Sequence, residues 1–408
     1  MNEISLPKIR DALQKIRRFM PPSSVKESLF LQKQTGVRTF LKLENLNLSG
    51  AFKIRGALNA LTRLTREELA SGIIAASAGN HAQGIAYAAR LMGAKATIFM
   101  PERAPLVKAE ATRDLGAEVK LVGDSYDDAL KAARQFQKEA GGVFVHGFAD
   151  FNVINGQGTV GLELMEQIPD LGMVVVSIGG GGLMAGLATA IKALDPTVQI
   201  IGVQSKAYPA MRESFKSQKY LTASYGYTIA DGIAIKEPAE VTYNIIKNLV
   251  DDIVLVDETE IASAIMSLMQ WDHTLAEGSG AAPVAAIPHI APERFAALGE
   301  RSLACVISGG NIDVNLLRRV IPDGLKSSGR LMRVAVRILD RPGRLAELLN
   351  LVGSTGANLQ DVEHNRLFGA VGYENVEVVL DLETLNDKHQ GEIFQALVKA
   401  GFKYTKLE

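Results

Sequence analysis

The sequence predicts an α/β protein in which parallel sheets carry helices on both faces, followed by a small domain of βαββαβ order. The first part follows from short apolar runs that alternate with amphipathic stretches of helix length between residues 73 and 307. The second part follows from a change in the order of elements after residue 330. With 408 residues and 47% hydrophobic side chains, the chain can bury a large core and fits two to three domains.

Eight apolar runs predict the strands of two successive α/β units. The first unit takes the runs 73–76, 96–100, 119–122 and 143–145. The second unit takes the runs 173–178, 199–203, 253–256 and 303–307. Amphipathic segments at 81–92 and 126–140 predict helices between the strands of the first unit.

The end of the chain predicts a separate domain. Residues 323–330 are polar and contain Gly and Ser, which indicates a linker between a large part at 1–322 and a tail at 331–408. The predicted strands of the tail are 331–338, 358–365, 376–382 and 404–407, with helices from residue 340 and at 386–400. This order is the ferredoxin-like arrangement. Within residues 1–322, a small subdomain at about 50–150 is expected to be inserted in the larger one.

Charge and cysteine content exclude several classes of partner. Lys plus Arg (44) nearly equals Asp plus Glu (45), so there is no electrostatic argument for nucleic acid or an anionic membrane. Cys305 is the one cysteine, which excludes a disulfide within the chain and a cysteine-based metal site. The first residues show no apolar signal segment, and no stretch approaches the length of a membrane span. We therefore expect a cytoplasmic protein with no metal.

Lys53 is the most informative residue, because it lies in the sequence Ser-Gly-Ala-Phe-Lys at 49–53 among small neighbours. A lysine that reacts with a carbonyl needs a partly dry pocket that keeps its amine neutral. Four successive glycines at 179–182 follow an apolar run and open into a helical pattern, which suits phosphate binding by backbone N–H groups. A lysine for an aldehyde and a glycine loop for a phosphate together predict a site for pyridoxal phosphate.

The glycine run also allows a competing interpretation. Residues 180–185 satisfy the G-x-G-x-x-A pattern of dinucleotide binding. That pattern needs an acidic residue at the end of the next strand, where it binds the ribose hydroxyl. Here the strand at 199–203 is followed by Gln204 and Ser205. The dinucleotide interpretation therefore fails.

Six ordered stretches carry a family resemblance. They are 49–57, 77–84, 156–161, 179–183, 228–232 and 308–311. With these stretches, residues 1 to about 322 resemble the fold type II pyridoxal phosphate enzymes, specifically the group of threonine dehydratases (threonine ammonia-lyases) and serine dehydratases or racemases. The tail at 331–408 resembles an ACT domain. The resemblance implies two parallel-sheet α/β domains, a homo-oligomer (dimer or tetramer) and an amino-acid effector bound by the tail.

The resemblance also implies cofactor roles for particular residues. Lys53 would bind the cofactor covalently and later act as the base at the substrate Cα, and Phe52 would lie beside the ring. Asn80 would donate to the phenolic oxygen. Ser308 would face the pyridine nitrogen, where a hydroxyl does not hold a proton as a carboxylate does. The phosphate-binding amides would come from Gly179, Gly180, Gly181, Gly182 and Leu183.

A second set of residues would bind the substrate carboxylate at a helix start. This set is Ser77, Ala78, Gly79, Asn80 and His81. For Ser77 and Asn80 the alternative is ordinary N-capping, and for His81 a structural role is favoured over a catalytic one. Glu277 matches a family position at the cofactor site, but Gly278 stands where the family usually has proline.

The implied reaction is conversion of the amino-acid substrate L-threonine to 2-oxobutanoate and ammonia, with L-serine as a lesser substrate. Two alternatives remain open at this point: serine dehydration or racemisation on the same site, and an inactive amino-acid sensor. Racemisation needs a second acid/base group on the face opposite the lysine. In the related racemases that position carries serine, whereas this chain has Ala78. The sequence therefore favours elimination.

Overall fold

A computed structural model describes residues 3–365 and 374–407 of the chain. The chain divides into two compact units, Met1–Asp313 and Val314–Glu408. The first unit is an α/β structure with two largely parallel sheets, and the second contains an antiparallel sheet with helices. The predicted fold class is thereby confirmed.

The first unit contains ten strands among the residues that the structure describes. They are β1 (Val25–Glu27), β2 (Thr39–Leu43), β3 (Ile73–Ala76), β4 (Ala96–Met100), β5 (Glu118–Leu121), β6 (Val143–Phe144), β7 (Leu171–Ser177), β8 (Gln199–Ser205), β9 (Asp252–Val256) and β10 (Ser302–Ile307). The eight predicted strands are all present, with bounds shifted by at most two residues. Strands β1 and β2 were not predicted.

The helices of the first unit connect and cover these strands. They are α1 (Leu6–Ile16), α2 (Leu29–Thr35), α3 (Lys53–Leu61), α4 (Arg66–Ala70), α5 (Asn80–Leu91), α6 (Leu106–Asp114), α7 (Tyr126–Ala140), α8 (Phe151–Gln167), α9 (Gly182–Leu194), α10 (Ala210–Ser217), α11 (Glu240–Leu249), α12 (Glu258–Trp271), α13 (Gly278–Ala285) and α14 (Pro292–Ala296). Short 3₁₀ turns lie at Glu44–Leu46, Asp231–Ile233 and Ile287–His289.

Each sheet of the first unit has its own order. The six-stranded sheet runs β1-β2-β10-β7-β8-β9, and all its neighbours are parallel except β1 against β2. The four-stranded sheet runs β5-β4-β3-β6 and is parallel throughout. Strand β7 is buried at every position, as expected when helices cover both faces. Parallel strands end at the same edge of a sheet, which brings the loops after β7 and β10 together.

A cluster of four buried charges connects α3, α8, β2 and the 3₁₀ turn Glu44–Leu46. Arg55 of α3 donates to Glu44 at 2.7 and 2.8 Å and to Glu163 of α8 at 2.8 and 2.7 Å. Lys42 of β2 donates to Glu163 at 2.6 Å. All four side chains are almost completely buried. Two positive and two negative charges compensate each other, and the network fixes α3 two residues after Lys53.

The second unit confirms the βαββαβ order. It contains α15 (Val314–Ser327), β11 (Leu331–Leu339), α16 (Arg344–Ser354), β12 (Asn358–Asn365), β13 (Asn375–Glu383), α17 (Asp387–Lys399) and β14 (Lys403–Leu407). The strands form an antiparallel sheet in the order β12-β13-β11-β14, with a core that includes Val334, Val378 and Leu397. This fits a ferredoxin-like domain.

The segment before that sheet differs from the prediction. Residues 323–330 were expected to form a linker, but helix α15 continues to Ser327 with Pro322 inside it. The helix packs against β11 and buries Val320 and Gly324. Its apolar positions recur at helical spacing, and this periodicity outweighed the polar composition. The catalytic boundary at residue 322 stays a prediction.

Candidate active site

Lys53 stands at the start of helix α3, and the segment after strand β10 holds the turn before it. The Phe52 N–H donates to the Ser308 carbonyl at 3.0 Å. The Gly310 N–H donates to the Gly50 carbonyl at 2.9 Å. These bonds attach the lysine turn to the end of the six-stranded sheet, so the structure brings the predicted residues Lys53, Phe52 and Ser308 together.

The Lys53 amine lies in a partly buried position. Its Nζ donates to the Gly147 carbonyl at 3.0 Å and lies 5.1 Å from the centre of the Phe52 ring. Burial lowers the pKa of Lys53 to about 8, and the negative charge of Glu277 opposes that shift. A substantial fraction of the amine is therefore neutral slightly above neutral pH, which is the form that attacks a carbonyl.

The glycine loop, residues 179–182, joins β7 to α9 where no side chain fits. A Cβ at Gly180 would lie 2.3 Å from the Phe148 ring, and one at Gly182 would lie 3.1 Å from Phe148 Cα. Gly181 adopts φ +88°, which favours glycine. Phe148 directly follows Gly147, so one short segment contacts both the Lys53 amine and the glycine loop. Sequence reasoning missed both residues of that segment.

Helix α9 begins at this loop without a side-chain cap. The first N–H groups of a helix favour an anion, and the helix dipole adds to this effect. The carbonyl of Gly180 accepts a hydrogen bond from Thr242 Oγ1 at 2.7 Å, which fixes the orientation of the loop. The Leu183 side chain lies in the hydrophobic core, so only its backbone is available to an anion.

Ser308 directly follows strand β10 and lies beside the end of β7. Its hydroxyl lies 3.3 Å from that of Ser177, and both residues are buried. The two strands are parallel neighbours, which places the residue after β10 close to the last residue of β7. Ser177 was not predicted, because a single serine at the end of an apolar run carries no functional signal.

The segment 77–81 leads into helix α5, which begins at Asn80. Gly79 is the cap residue and no side chain caps the helix. The Ser77 hydroxyl accepts from the Gly79 N–H at 3.2 Å instead of from the first turn of the helix. Ser77 and Asn80 are therefore not ordinary N-caps, and the helix start remains open to an anion such as a carboxylate.

His81 is buried one residue into the same helix. Its Nε2 donates to the Val145 carbonyl at 3.0 Å, since a carbonyl can only accept. Burial and the charge of Lys53 lower the pKa of His81 to about 3. The ring is therefore neutral at neutral pH, which agrees with the structural role that the sequence favoured for its side chain.

Glu277, the residue before helix α13, contacts the Asn80 side chain. The Asn80 Nδ2 donates to Glu277 Oε1 at 2.6 Å, and Glu277 is only 4% exposed. Burial and the charge of Asp231 raise the pKa of Glu277 to about 7, against the opposing effects of Lys108 and Asn80. A carboxyl with this pKa beside Lys53 is a feature typical of functional sites.

Gly278, which departs from the proline of the family pattern, is explained by close packing. A Cβ at this position would lie 2.6 Å from the Ile229 carbonyl oxygen and 2.8 Å from Ala230 Cα. Any residue other than glycine would displace that backbone. The local packing of this chain therefore excludes proline at residue 278.

One ion pair connects helix α6 with the turn Asp231–Ile233. Lys108 of α6, beside the four-stranded sheet, donates to Asp231 in the turn Asp231–Ile233, which packs against α13. The Lys108 side chain is 16% exposed and that of Asp231 is 55% exposed. Burial lowers the pKa of Lys108, but Asp231 and Glu277 more than reverse this and the net shift is upward. The pair therefore carries charge close to Glu277.

The arrangement contains the predicted site residues, while their individual roles stay predictions. Ala78 is partly buried beside the core around α5, and the space beside Gly79 is open. Residues 3–365 and 374–407 contain no group of three His, Cys, Asp or Glu side chains that could hold a metal ion, and no helix that is long and apolar enough to cross a membrane.

Comparison with known proteins identifies the family. Residues 17–309 match the family model described as "Pyridoxal-phosphate dependent enzyme". An L-threonine ammonia-lyase from Thermotoga maritima is 44% identical over 400 residues, which cover 98% of each chain. A threonine deaminase isoform from Solanum lycopersicum has a TM-score of 0.73 at 34% identity over 78% of this chain and 87% of that chain. Maize serine racemase has a TM-score of 0.73 at 32% identity over 79% of this chain and 98% of that chain. The chain belongs to the pyridoxal-phosphate dependent enzymes.

Proposed function

We propose that the protein is an L-threonine ammonia-lyase, which converts L-threonine to 2-oxobutanoate and ammonia and L-serine to pyruvate and ammonia at a lower rate. The observation that carries the proposal is the 44% identity with an L-threonine ammonia-lyase along 98% of both chains. The catalytic portion and the tail are thus both matched. The partly buried amine of Lys53, with its pKa lowered to about 8, supports the same activity.

The residues at the site fit pyridoxal phosphate. The glycine loop and the uncapped start of α9 offer backbone N–H groups for a phosphate, and Lys53 offers an amine for the aldehyde. Among the residues that the structure describes, the buried Ser279 hydroxyl has no hydrogen-bond partner, and a Cβ at Gly232 would lie 2.6 Å from it. Ser308 supplies a neutral partner for a ring nitrogen.

When bound, the cofactor supplies an electron sink that acidifies the Cα–H bond and promotes loss of a β-hydroxyl. The residues of this chain bind the substrate, orient it and transfer protons. Lys53 Nζ takes the proton from the substrate Cα, because its pKa of about 8 makes it a base near neutral pH. The open start of α5, with Ser77, holds the substrate carboxylate. The neutral His81 ring orients the segment 77–81 by its hydrogen bond to the Val145 carbonyl.

The test is incubation of the purified protein with pyridoxal phosphate and L-threonine or L-serine, followed by assay of the 2-oxo acid. We expect 2-oxobutanoate from threonine and a lower kcat/KM for serine. The missing methyl group is worth about 1–3 kcal/mol in an apolar pocket. Absence of 2-oxo acid from both substrates, with cofactor bound, would overturn the proposal and favour the sensor alternative.

The pH dependence of cofactor loading follows from Lys53. Only the neutral amine reacts with an aldehyde, and the pKa of Lys53 is lowered to about 8 by burial, against Glu277. We expect the rate of loading of the apoprotein to rise about tenfold between pH 7 and pH 9, as the neutral fraction increases. Stopped-flow absorbance after mixing with pyridoxal phosphate measures this rate. A rate that is constant over this range would contradict the expectation.

The alanine at position 78 leads us to expect elimination without racemisation. Its methyl group cannot transfer a proton on the face opposite Lys53, so we expect negligible D-serine or D-threonine from the wild type. We expect Ala78→Ser to gain measurable D-amino-acid formation while elimination persists. Chiral chromatography after incubation with L-serine measures both. Wild-type racemisation comparable to elimination would show that another residue serves that face.

For the tail, the proposal is an ACT-type sensor that binds an amino-acid effector and biases catalysis in a homo-oligomer. The antiparallel sheet and the loop before α16, where Gly343 adopts φ +88°, support it. We expect isoleucine or valine to change the kinetics of the full chain. A protein that ends at Asp313 should lose this response.

The buried single cysteine, Cys305, supports a cytoplasmic location as part of the proposal.

A further inference from the structure

The amide of Asn311 has a defined orientation because it faces a backbone carbonyl. Its Nδ2 lies 2.8 Å from the carbonyl oxygen of Ser49. A backbone carbonyl only accepts hydrogen bonds, so the atom that faces it must be the nitrogen. The main chain before Lys53 therefore determines which way the Asn311 side chain points.

Gly50 provides the space for this approach. A Cβ at Gly50 would lie 2.2 Å from Asn311 Oδ1, and the residue adopts φ +69°. Both conditions favour glycine. The glycine in the Ser-Gly-Ala-Phe-Lys sequence is therefore explained by the contact with Asn311 as much as by the turn itself.

The orientation of the Asn311 amide determines the orientation of the Asn80 amide. The Nδ2 of Asn311 also donates to an Asn80 atom at 2.8 Å, which must be Oδ1 because it faces a donor. The Nδ2 of Asn80 then points toward Glu277 Oε1, at 2.6 Å. A flipped Asn80 amide would place two donors against each other at 2.8 Å. It would also place its oxygen against a carboxyl oxygen.

The amide nitrogen of Asn80 carries two hydrogens, and Glu277 takes one. The other has no acceptor within residues 3–365 and 374–407. We propose that Asn311 is a positioning residue that holds the Asn80 amide with this second N–H available to the ring oxygen of the cofactor. This inference rests on the proposed function, since it requires bound pyridoxal phosphate. It adds Asn311 to the residues that determine cofactor binding.

The test is a double-mutant cycle on the full chain with pyridoxal phosphate as the probe. Asn80→Ala and Asn311→Ala should each weaken binding to the apoprotein about tenfold and shift the visible absorbance maximum of the bound cofactor. Because Asn311 acts through Asn80, the double variant should bind within about twofold of Asn80→Ala. Additive losses, about a hundredfold in the double variant, would overturn the proposal. An unchanged spectrum in Asn311→Ala would do the same.

Asn311→Asp provides a second variant of nearly the same shape. A carboxylate cannot donate to the Ser49 carbonyl, and both of its oxygens accept hydrogen bonds. It would therefore accept from Asn80 Nδ2, and the Asn80 amide would turn around. We expect a loss of affinity at least as large as in Asn311→Ala, and again little further loss in the Asn80→Ala background. If Asn311→Ala fails to fold, the Asp variant carries the cycle. Wild-type affinity and spectrum in Asn311→Asp would contradict the proposal.

Gln83→Met is the matched control. Gln83 Oε1 is a third acceptor near Asn311 Nδ2, at 3.1 Å, but the two hydrogens already serve Ser49 and Asn80. Cofactor affinity should stay within about twofold of the wild type. A tenfold loss here would overturn the proposal, because it would show that general packing around Asn311 determines affinity. A wild type that binds no cofactor or forms no 2-oxo acid would instead overturn the proposed function.

Discussion

Lys53→Ala is expected to lose cofactor absorbance and nearly all turnover of L-threonine. The substitution removes both the amine that binds the aldehyde and the base at Cα, so we expect a fall in kcat of at least about a thousandfold. The protein should remain folded, because the substitution removes the hydrogen bond from Lys53 Nζ to Gly147 and leaves the buried charge cluster intact. Visible absorbance and 2-oxo acid formation measure the two losses.

A matched control for this experiment is Lys95→Ala. Lys95 is exposed in the loop before β4, and we expect colour and kcat to match the wild type. Treatment of the wild type with borohydride should fix the cofactor to the peptide that contains Lys53. A Lys53→Ala protein that keeps both the absorbance and the activity would show that another lysine is the reactive group.

Arg55→Met is expected to destabilise the first unit by about 3–5 kcal/mol. The substitution leaves Glu44 and Glu163 buried with Lys42 as the remaining cation of the cluster, and an uncompensated buried charge is costly. Urea unfolding followed by circular dichroism measures the change. Arg103→Met is the control: Arg103 is 83% exposed beside Asp124, and we expect less than about 0.5 kcal/mol.

The same cluster gives this stability a pH dependence. Burial would raise the pKa of Glu163, but the hydrogen bonds and charges of Arg55 and Lys42 outweigh it and lower the pKa. The contribution is therefore present above the unfolded pKa of 4.5 and is lost as pH falls through the lower pKa of the folded state. Arg55→Met should show a weaker loss of stability in acid. Equal acid profiles for the two proteins would contradict this assignment.

Periodicity was sufficient for most of the fold. Eight apolar runs and two helical segments of the first unit predicted elements that the structure contains, because strands buried on both faces have continuous apolar sequences. Strand β2 escaped prediction because Lys42 interrupts its apolar pattern. That lysine is buried against Glu163, 121 residues away, and no local pattern shows such a partner.

The site was predictable where chemistry requires unusual residues close together in the sequence. Lys53 and the four glycines carry such a signal, and so does the segment 308–311 through its family resemblance. The contacts of Gly147 with Lys53 and of Phe148 with Gly180 carry none, because they join residues that lie far apart in the chain and have ordinary neighbours. The orientation of Asn80 likewise depends on Asn311, 231 positions later.

We expect the pair between Lys108 and Asp231 to respond to ionic strength, which the net charge of −1 does not suggest. Asp231 is more than half exposed, so dissolved ions reach this pair, whereas they do not reach the buried cluster around Arg55. We expect salt to weaken the ion pair between α6 and the turn at Asp231–Ile233 and to leave the buried ion pairs of Arg55 in α3 intact. We therefore expect concentrated salt to affect the elements around Glu277 more than it affects the buried ion pairs of Arg55.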